Sequence, residues 1–409
     1  MRSSSIFTPV LLTAAAVSAA VLEKRSGFSQ GQPISDDGKG ARILGGTDNY
    51  IDVQNPDNLG QQSTDNGVVP NLKWRFSDSK TRILKGGWVR EQVVTDLPSS
   101  RDIAAAQQHL TKGSVRELHW HRVAEWGYVY AGSVLVSAVD QDGKFQVAKL
   151  EVGDVWYFPK GQGHTVQGLE DDNEFLLVFD DGDFDATGTT FNVDDWIKHT
   201  PKHILAKNFG LNASVFDSVP SPNPYIQQGN VSDSGVSGGG GELSGDASFV
   251  YYAKDHALQD IPGGGGTLRI IDTTTFPASK TIAATVVTLV PGGLRELHWH
   301  PNAEEWLYFH KGKARATVFL GSGLARTFDF AAGDTGVFPS NSGHYIENTG
   351  DSELVWIEIY KSDRVLDNPL TQWLALTPAD LVAQILKIPL DVAEGLKKDK
   401  QILIKPSAA

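Results

Sequence analysis

The residues best suited to chemistry occur twice. Arg116-Glu117-Leu118-His119-Trp120-His121 returns unchanged as Arg295-Glu296-Leu297-His298-Trp299-His300. Alternate side chains of an extended strand share a face, so His119 and His121 point together, as do His298 and His300, while Trp120 and Trp299 point away. Glu125 follows His121 after four positions, and His164 arrives beyond the Gly153-Asp154 turn and Pro159. The second copy supplies Glu305 and His344 in the same order. Glu304 competes with Glu305, but Glu305 shares the Glu-Trp step of Glu125 and precedes Gly312 as Glu125 precedes Gly132, which selects it.

Three neutral imidazoles and one carboxylate leave open positions on a six-coordinate divalent metal, as a catalytic site requires, whereas a structural zinc site closes at four ligands. A single His-x-His is more often a surface or hydrogen-bonded pair. A full set found twice in register makes two metal sites, one per repeat, the expectation. The chain has no cysteine, which excludes thiolate ligands and cysteine nucleophiles.

The elements that would carry these residues repeat with them. Gly86-Gly87-Trp88-Val89-Arg90 aligns with Gly265-Gly266-Thr267-Leu268-Arg269, and Gly153-Asp154 and Pro159 align with Gly333-Asp334 and Pro339. Short β-branched and aromatic runs such as "VWYFP", "FLLVFD" and "LVWIEIY", bounded by glycine or aspartate, read as strands. Trp196 and Trp373 precede Thr200-Pro201 and Thr377-Pro378, where threonine can cap a short helix and proline can enter its first turn. The expected fold is mainly β, two jelly-roll barrels each with a short helical segment.

A length of 409 residues suits two such domains. The expected order is a signal peptide over 1–20, a possible propeptide over 21–25 ending in Lys24-Arg25, and a first domain with a leading arm over 26–217. A linker over 218–248, rich in Gly, Ser, Pro and Asn, and a second domain over 249–409 complete it. The leader predicts secretion, and its apolar run is too short to span a bilayer. Asn212 and Asn230 head glycosylation sequons between the repeats. A formal charge of −13 argues against nucleic acid and leaves any anionic substrate to be caught locally, by a metal or an arginine.

Both repeats are similar to the cupin signature. Gly113, Gly132, Gly153, Pro159 and His164 carry it in the first half, and Gly292, Gly312, Gly333, Pro339, His344 and Asn348 in the second. Nearly the whole mature chain resembles the bicupin oxalate-degrading enzymes, oxalate decarboxylases and fungal oxalate oxidases. That resemblance implies two Mn2+ per chain, O2 as co-substrate, oxalate as substrate and a trimer or hexamer. It also implies that Arg116 and Arg295 hold the oxalate, although strand parity alone puts both arginines on the face opposite the histidines.

In the family's decarboxylases a lid glutamate donates the proton that makes formate. The matching stretch here is Asp185-Ala186-Thr187-Gly188-Thr189-Thr190, with alanine where glutamate is expected. The expectation drawn from it is an oxalate oxidase, converting oxalate and O2 to CO2 and H2O2. A decarboxylase is the alternative, with Asp185 or Glu358 as the acid. A bicupin dioxygenase of another substrate would not need an arginine before both histidine pairs, and a non-enzymatic bicupin would not need two complete ligand sets.

Overall fold

A computed structural model describes residues 62–259, 261 and 263–406. The expected signal, propeptide and start of the leading arm lie outside the described residues. The first half runs β1 (Lys73–Arg75), β2 (Thr81–Leu84), β3 (Gly87–Gln92), β4 (Ala104–Thr111), β5 (Val115–His121), β6 (Glu125–Ala131), β7 (Ser133–Val139) and β8 (Phe145–Glu151). It continues through β9 (Val155–Phe158), β10 (Gly163–Gly168), β11 (Asp172–Phe179) and β12 (Thr190–Asn192) to helices α1 (Val193–Lys198) and α2 (Lys202–Phe209). Two short strands, β13 (Ile226–Gln227) and β14 (Val250–Tyr251), lead to the second half.

The second half repeats the plan with β15 (Gly266–Ile271), β16 (Ala283–Leu289), β17 (Leu294–Trp299), β18 (Glu305–Lys311), β19 (Lys313–Gly321) and β20 (Leu324–Ala331). Then follow β21 (Asp334–Phe338), β22 (Gly343–Asn348), β23 (Leu354–Tyr360), β24 (Asn368–Pro369), α3 (Leu370–Ala375), α4 (Ala379–Leu386), α5 (Leu390–Glu394) and β25 (Leu403–Ile404). The fold is mainly β, with two jelly-roll barrels, as expected.

In the first barrel the sheet β14-β9-β6-β11-β4-β3-β2 faces the sheet β12-β5-β10-β7-β8. Strand β11 shows why its sequence is apolar on both sides. Phe175, Leu177 and Phe179 fill the barrel, while Leu176 and Val178 pack with Trp126, Trp306, Ile357 and Ile359 in a second cluster joining the halves. Trp306 Nε1 donates to Gln92 Oε1 at 2.7 Å and Gln107 Nε2 to Tyr308 OH at 2.7 Å within that junction.

Strands are lent across the halves. The leading arm, grouped by sequence with 26–217, pairs its β1 with β21 of the second half, and β14 pairs back with β9. Each loan covers backbone groups that a free sheet edge would expose. The 218–248 stretch is likewise pinned to the first barrel: β13 pairs with β5, Gly240 N donates to Gly143 O at 2.8 Å and Phe145 N to Gly241 O at 3.0 Å.

Residues 62–71 and 316–329 belong to a separate compact unit. There Asn66 N donates to Ala325 O at 2.8 Å and Thr327 Oγ1 to Asp65 Oδ1 at 2.7 Å. Thr200 and Thr377 do not cap the helices that follow them. Their hydroxyls turn back onto Trp196 O (2.8 Å) and Trp373 O (2.9 Å), and Pro201 and Pro378 stand at the caps of α2 and α4.

Candidate metal centres and anion pockets

Pairing of β5 with β10 sets His119 opposite His164, and Glu125 opens β6 beside them. His119, His121, Glu125 and His164 are all buried, and their ligating atoms lie within 4.8 Å of one another. Strands β17, β18 and β22 bring His298, His300, Glu305 and His344 together in the same way. Glu304 points elsewhere, accepting from Asp102 N at 3.1 Å, and burial raises its carboxyl to about 7.

Five of the six rings are oriented by backbone carbonyls and His121 by a hydroxyl. His119 Nδ1 meets Glu117 O at 2.6 Å, His164 Nδ1 meets Gln162 O at 2.8 Å, and His121 Nδ1 meets Thr190 Oγ1 at 3.0 Å. In the second half His298, His300 and His344 Nδ1 meet Glu296 O (2.6 Å), Leu366 O (2.7 Å) and Ser342 O (2.9 Å). A carbonyl only accepts, so the five Nδ1 atoms that meet carbonyls carry the proton and Nε2 of a neutral ring turns inward as a lone pair, whereas the Thr190 hydroxyl can donate or accept and leaves the His121 tautomer open.

Those lone pairs face other acceptors. His121 and His164 Nε2 lie 3.1 and 3.3 Å from Glu125 Oε2, and His300 and His344 Nε2 lie 3.2 and 2.7 Å from Glu305 Oε2. Burial, reinforced by Arg116 and Arg295, holds His119 and His298 well below the usual imidazole range, and burial brings His121 down to about 4. His300 is raised, because its contact with Glu305 outweighs burial. Burial acts to raise Glu125 and Glu305, but the neighbouring histidines outweigh it and hold both far below the carboxylate range.

His164 Nε2, His344 Nε2 and both Glu305 oxygens are buried without a hydrogen-bond partner. Buried acceptors facing acceptors are costly unless a cation stands among them. This nitrogen-plus-carboxylate donor set fits a divalent first-row metal with open positions.

The two centres differ around the carboxylate. Trp156 Nε1 donates to Glu125 Oε1 at 2.9 Å, and Gly127 makes room for that indole, since a Cβ there would lie 2.1 Å from the ring. In the second centre Trp356 Nε1 instead donates to Glu358 Oε1 at 3.2 Å, and Tyr360 OH to Glu358 Oε2 at 2.9 Å. Burial pushes the Glu358 carboxyl up, with Arg295 opposing and Glu305 adding.

Strand parity misplaces the arginines, and a bulge is the reason. Three positions on β5, Arg116 to His119, match two on β10, Val166 to His164, and the same shift recurs between Arg295–His298 and Ile346–His344. The extra residue returns each arginine to the face of its histidines. Arg116 Nη1 donates to Glu117 Oε1 at 2.8 Å, its guanidinium lies 3.8 Å over the Tyr225 ring, and its Nη2 is buried without a partner. Arg295 donates through Nη2 to Asp367 at 2.8 Å and through Nε to Glu358 at 3.4 Å, leaving Nη1 unpartnered.

The lid stretch is anchored at both ends. Phe184 stacks on Phe179 at 3.5 Å and packs against His121 at 5.2 Å, while Thr189 O accepts from Arg122 N at 2.8 Å. Between them Asp185 is exposed and, with Ala186, Thr187 and Gly188, lines a cavity of about 550 Å³ that Glu91, Arg82 and Tyr225 also line. Both sequon asparagines, Asn212 and Asn230, are exposed.

Several neighbours escape a reading of the repeats. Tyr225 and Asn223 come from the presumed linker, Asn223 Nδ2 donating to Glu117 at 2.9 Å and to Asp194 at 2.6 Å. Asp367 and its partner Lys400 come from the C-terminal segment, and neither has any sequence signal. Tyr360 and Trp156 had one: Tyr360 stands two positions after Glu358 on the same strand face, and Trp156 in the apolar run of β9.

Comparison with known proteins adds a lineage to this geometry. A family model described as cupin matches residues 76–216 and 254–388. A protein of Arthroderma benhamiae named "Probable oxalate decarboxylase" is 58% identical over 406 residues, covering 99% of this chain and 100% of its own. Oxalate decarboxylase OxdC of Bacillus subtilis is 44% identical over 378 residues, covering 91% of this chain and 97% of its own. A solved structure of the Bacillus subtilis enzyme, described for its Mn(II) centres, superposes with a TM-score of 0.86 at 42% identity, covering 93% of this chain and 100% of that one.

These relatives overturn the expectation of an oxalate oxidase and of an oxidoreductase. They carry the decarboxylase name at 44% and 58% identity over nearly the full chain. Ala186 leaves that lid position without a carboxyl, but Asp185 stands beside it, Glu91 lines the same cavity and Glu358 contacts Arg295 in the second half.

Proposed function

The chain belongs to the cupin family, as a bicupin of the oxalate-degrading group, and from that premise we propose that it cleaves oxalate to formate and CO2. The observation that carries this is the pairing of each three-histidine, one-glutamate cluster with a buried arginine that keeps one guanidinium nitrogen unpartnered, Arg116 Nη2 and Arg295 Nη1. A small dianion is what such a pocket suits, since a guanidinium fork binds a carboxylate through charge-assisted hydrogen bonds. Oxalate plus one proton balances to formate plus CO2, so O2, expected as co-substrate, is not consumed.

His119, His121, Glu125 and His164, and His298, His300, Glu305 and His344, would hold one Mn2+ each, and the donor set and the Mn(II) centres of the Bacillus subtilis relative support that metal. Bound there, manganese supplies Lewis-acid polarisation and one-electron chemistry. The protein supplies the rest. Arg116 and Arg295 orient oxalate, the apolar barrel walls exclude water, and a carboxylic acid protonates the carbon left when CO2 departs. Glu358, raised by burial, serves the second centre, and Asp185 on the lid lines the cavity that adjoins the first through Phe184 and Thr190.

Secretion rests on the leader over 1–20 and the Lys24-Arg25 site, and the exposed Asn212 and Asn230 suit glycosylation. A trimer or hexamer, implied by the resemblance, is supported by apolar side chains exposed on the helices, among them Trp196, Trp373 and Ile385. The test of function is a product balance on manganese-loaded protein with oxalate in aerated, mildly acidic buffer. One formate and one CO2 per oxalate are expected, and peroxide in place of formate would overturn the reading.

A further inference from the structure

The two centres do not carry their acids on the same wall. Glu358 lies opposite Leu307 in the β18–β23 ladder, and the matching position in the β6–β11 ladder, opposite Gly127, is Leu177, a core residue. The first barrel therefore has no counterpart of Glu358. It has a carboxyl elsewhere: Glu91 on β3 falls where the second copy has Ile270, five positions after Gly86 as Ile270 is after Gly265. Alternation along β3 puts Glu91 on the face of Val89 and Val93, both in the first barrel's core, and away from Gln92, which faces the second half.

Glu91 lines the lid cavity together with Asp185 and feels its charge. Arg82 and Tyr225 line that cavity too, and the guanidiniums of Arg82 and Arg116 lie 4.3 and 3.8 Å over the Tyr225 ring. The cavity adjoins the first centre through Phe184, which packs against His121, and Thr190, whose hydroxyl meets His121 Nδ1. Asp195 also lines it, and Asp96 follows β3 nearby.

We propose that Glu91 and Asp185 form the proton reservoir of the first centre, Glu91 storing the proton that oxalate cleavage consumes and exposed Asp185 exchanging it with solvent. The proposal rests on the reading of the chain as a decarboxylase. In the balanced step the C–C bond breaks, its electron pair remains on the carbon that becomes formate, and that carbon takes one proton while CO2 leaves. The reservoir then reloads one proton from water through Asp185. Burial keeps Glu91 protonated to higher pH than a free glutamic acid, Arg82 opposes, Asp185 adds to the rise, Arg116 opposes and Asp96 adds. An acid held in this way suits proton delivery in mildly acidic solution.

The experiment compares the full manganese-loaded chain with Glu91→Gln, Glu91→Asp and Asp185→Asn, reading formate kcat against pH and metal per chain. Formate at one per oxalate from the unaltered protein is the entry condition, and its failure sinks the decarboxylase reading instead. Glu91→Gln is expected to lower kcat by about 10²-fold or more with metal content unchanged and to abolish the fall of kcat with rising pH, as loss of a general acid does. Glu91→Asp should restore most of that loss. Asp185→Asn, at an exposed position that need not disturb folding, should move the falling limb to lower pH, because a negative charge that raises Glu91 is gone. A kcat within threefold in Glu91→Gln, or an unmoved pH limb in Asp185→Asn, overturns the proposal.

Discussion

Replacing Arg116 by lysine keeps the positive charge and removes the planar fork. Two contacts and one unpartnered donor define what is lost. Nη1 holds Glu117 Oε1 at 2.8 Å, the guanidinium lies 3.8 Å over Tyr225, and Nη2 is the unpartnered donor left for a substrate carboxylate. The first two fix the side chain and should cost stability rather than specificity, with the stacked cation contributing roughly 0.5–2 kcal/mol. The third is a hydrogen bond between charged groups, worth about 1.5–3 kcal/mol. At about 1.4 kcal/mol per tenfold, Arg116→Lys should lower kcat/KM for oxalate by roughly 10-fold to 150-fold. Initial rates of formate release against oxalate concentration measure this, with metal per chain and Tm recorded on the same sample. A loss below about threefold at full metal content would show that Nη2 does not meet substrate, and a loss that tracks missing metal would assign Arg116 to the centre's integrity.

Two further outcomes follow from the second half. Burial acts to raise Asp367, but Arg295 and Lys400 outweigh it and lower the carboxyl from 3.8 to about 2. A depressed acid stabilises the fold above its unfolded value and loses that contribution as pH falls, so Asp367→Asn should cost about 2 kcal/mol near neutrality and progressively less between pH 4 and 2. Urea unfolding of the metal-free chain at several pH values checks it, and a difference independent of pH would refute the assignment. Removing metal with a chelator should abolish formate production and lower Tm, because His344 Nε2 and both Glu305 oxygens are then buried without partners. Binding at a free metal concentration 1,000 times Kd is worth about 4 kcal/mol, and a Tm unchanged by chelation would count against two tightly held ions.

The oxidase expectation, overturned by the decarboxylase relatives, rested on too narrow a physical premise. One lid position, Ala186, was taken to set the fate of the intermediate, yet an acid can reach a small cavity from any wall. Only the folded chain reveals that Glu91 and Asp185 line one space and that Glu358 touches Arg295. The strand-parity objection to Arg116 and Arg295 failed similarly, since a bulge leaves no mark in composition and changes the face of every residue beyond it.

By itself the sequence determined what depends on local periodicity and on repetition. Two copies of His-x-His, a glutamate and a distant histidine, each in a run of alternating strands, define two ligand sets and two barrels, because pleating assigns their faces without reference to the rest of the chain. Tertiary structure decided what depends on segments remote in sequence. It brought Tyr225 and Asn223 from the 218–248 stretch to Arg116 and its partner Glu117, Asp367 and Lys400 from the C-terminal segment to Arg295, and Glu91 to the lid. These contacts are set by how strands pair and where the chain crosses between barrels, and no periodicity encodes them.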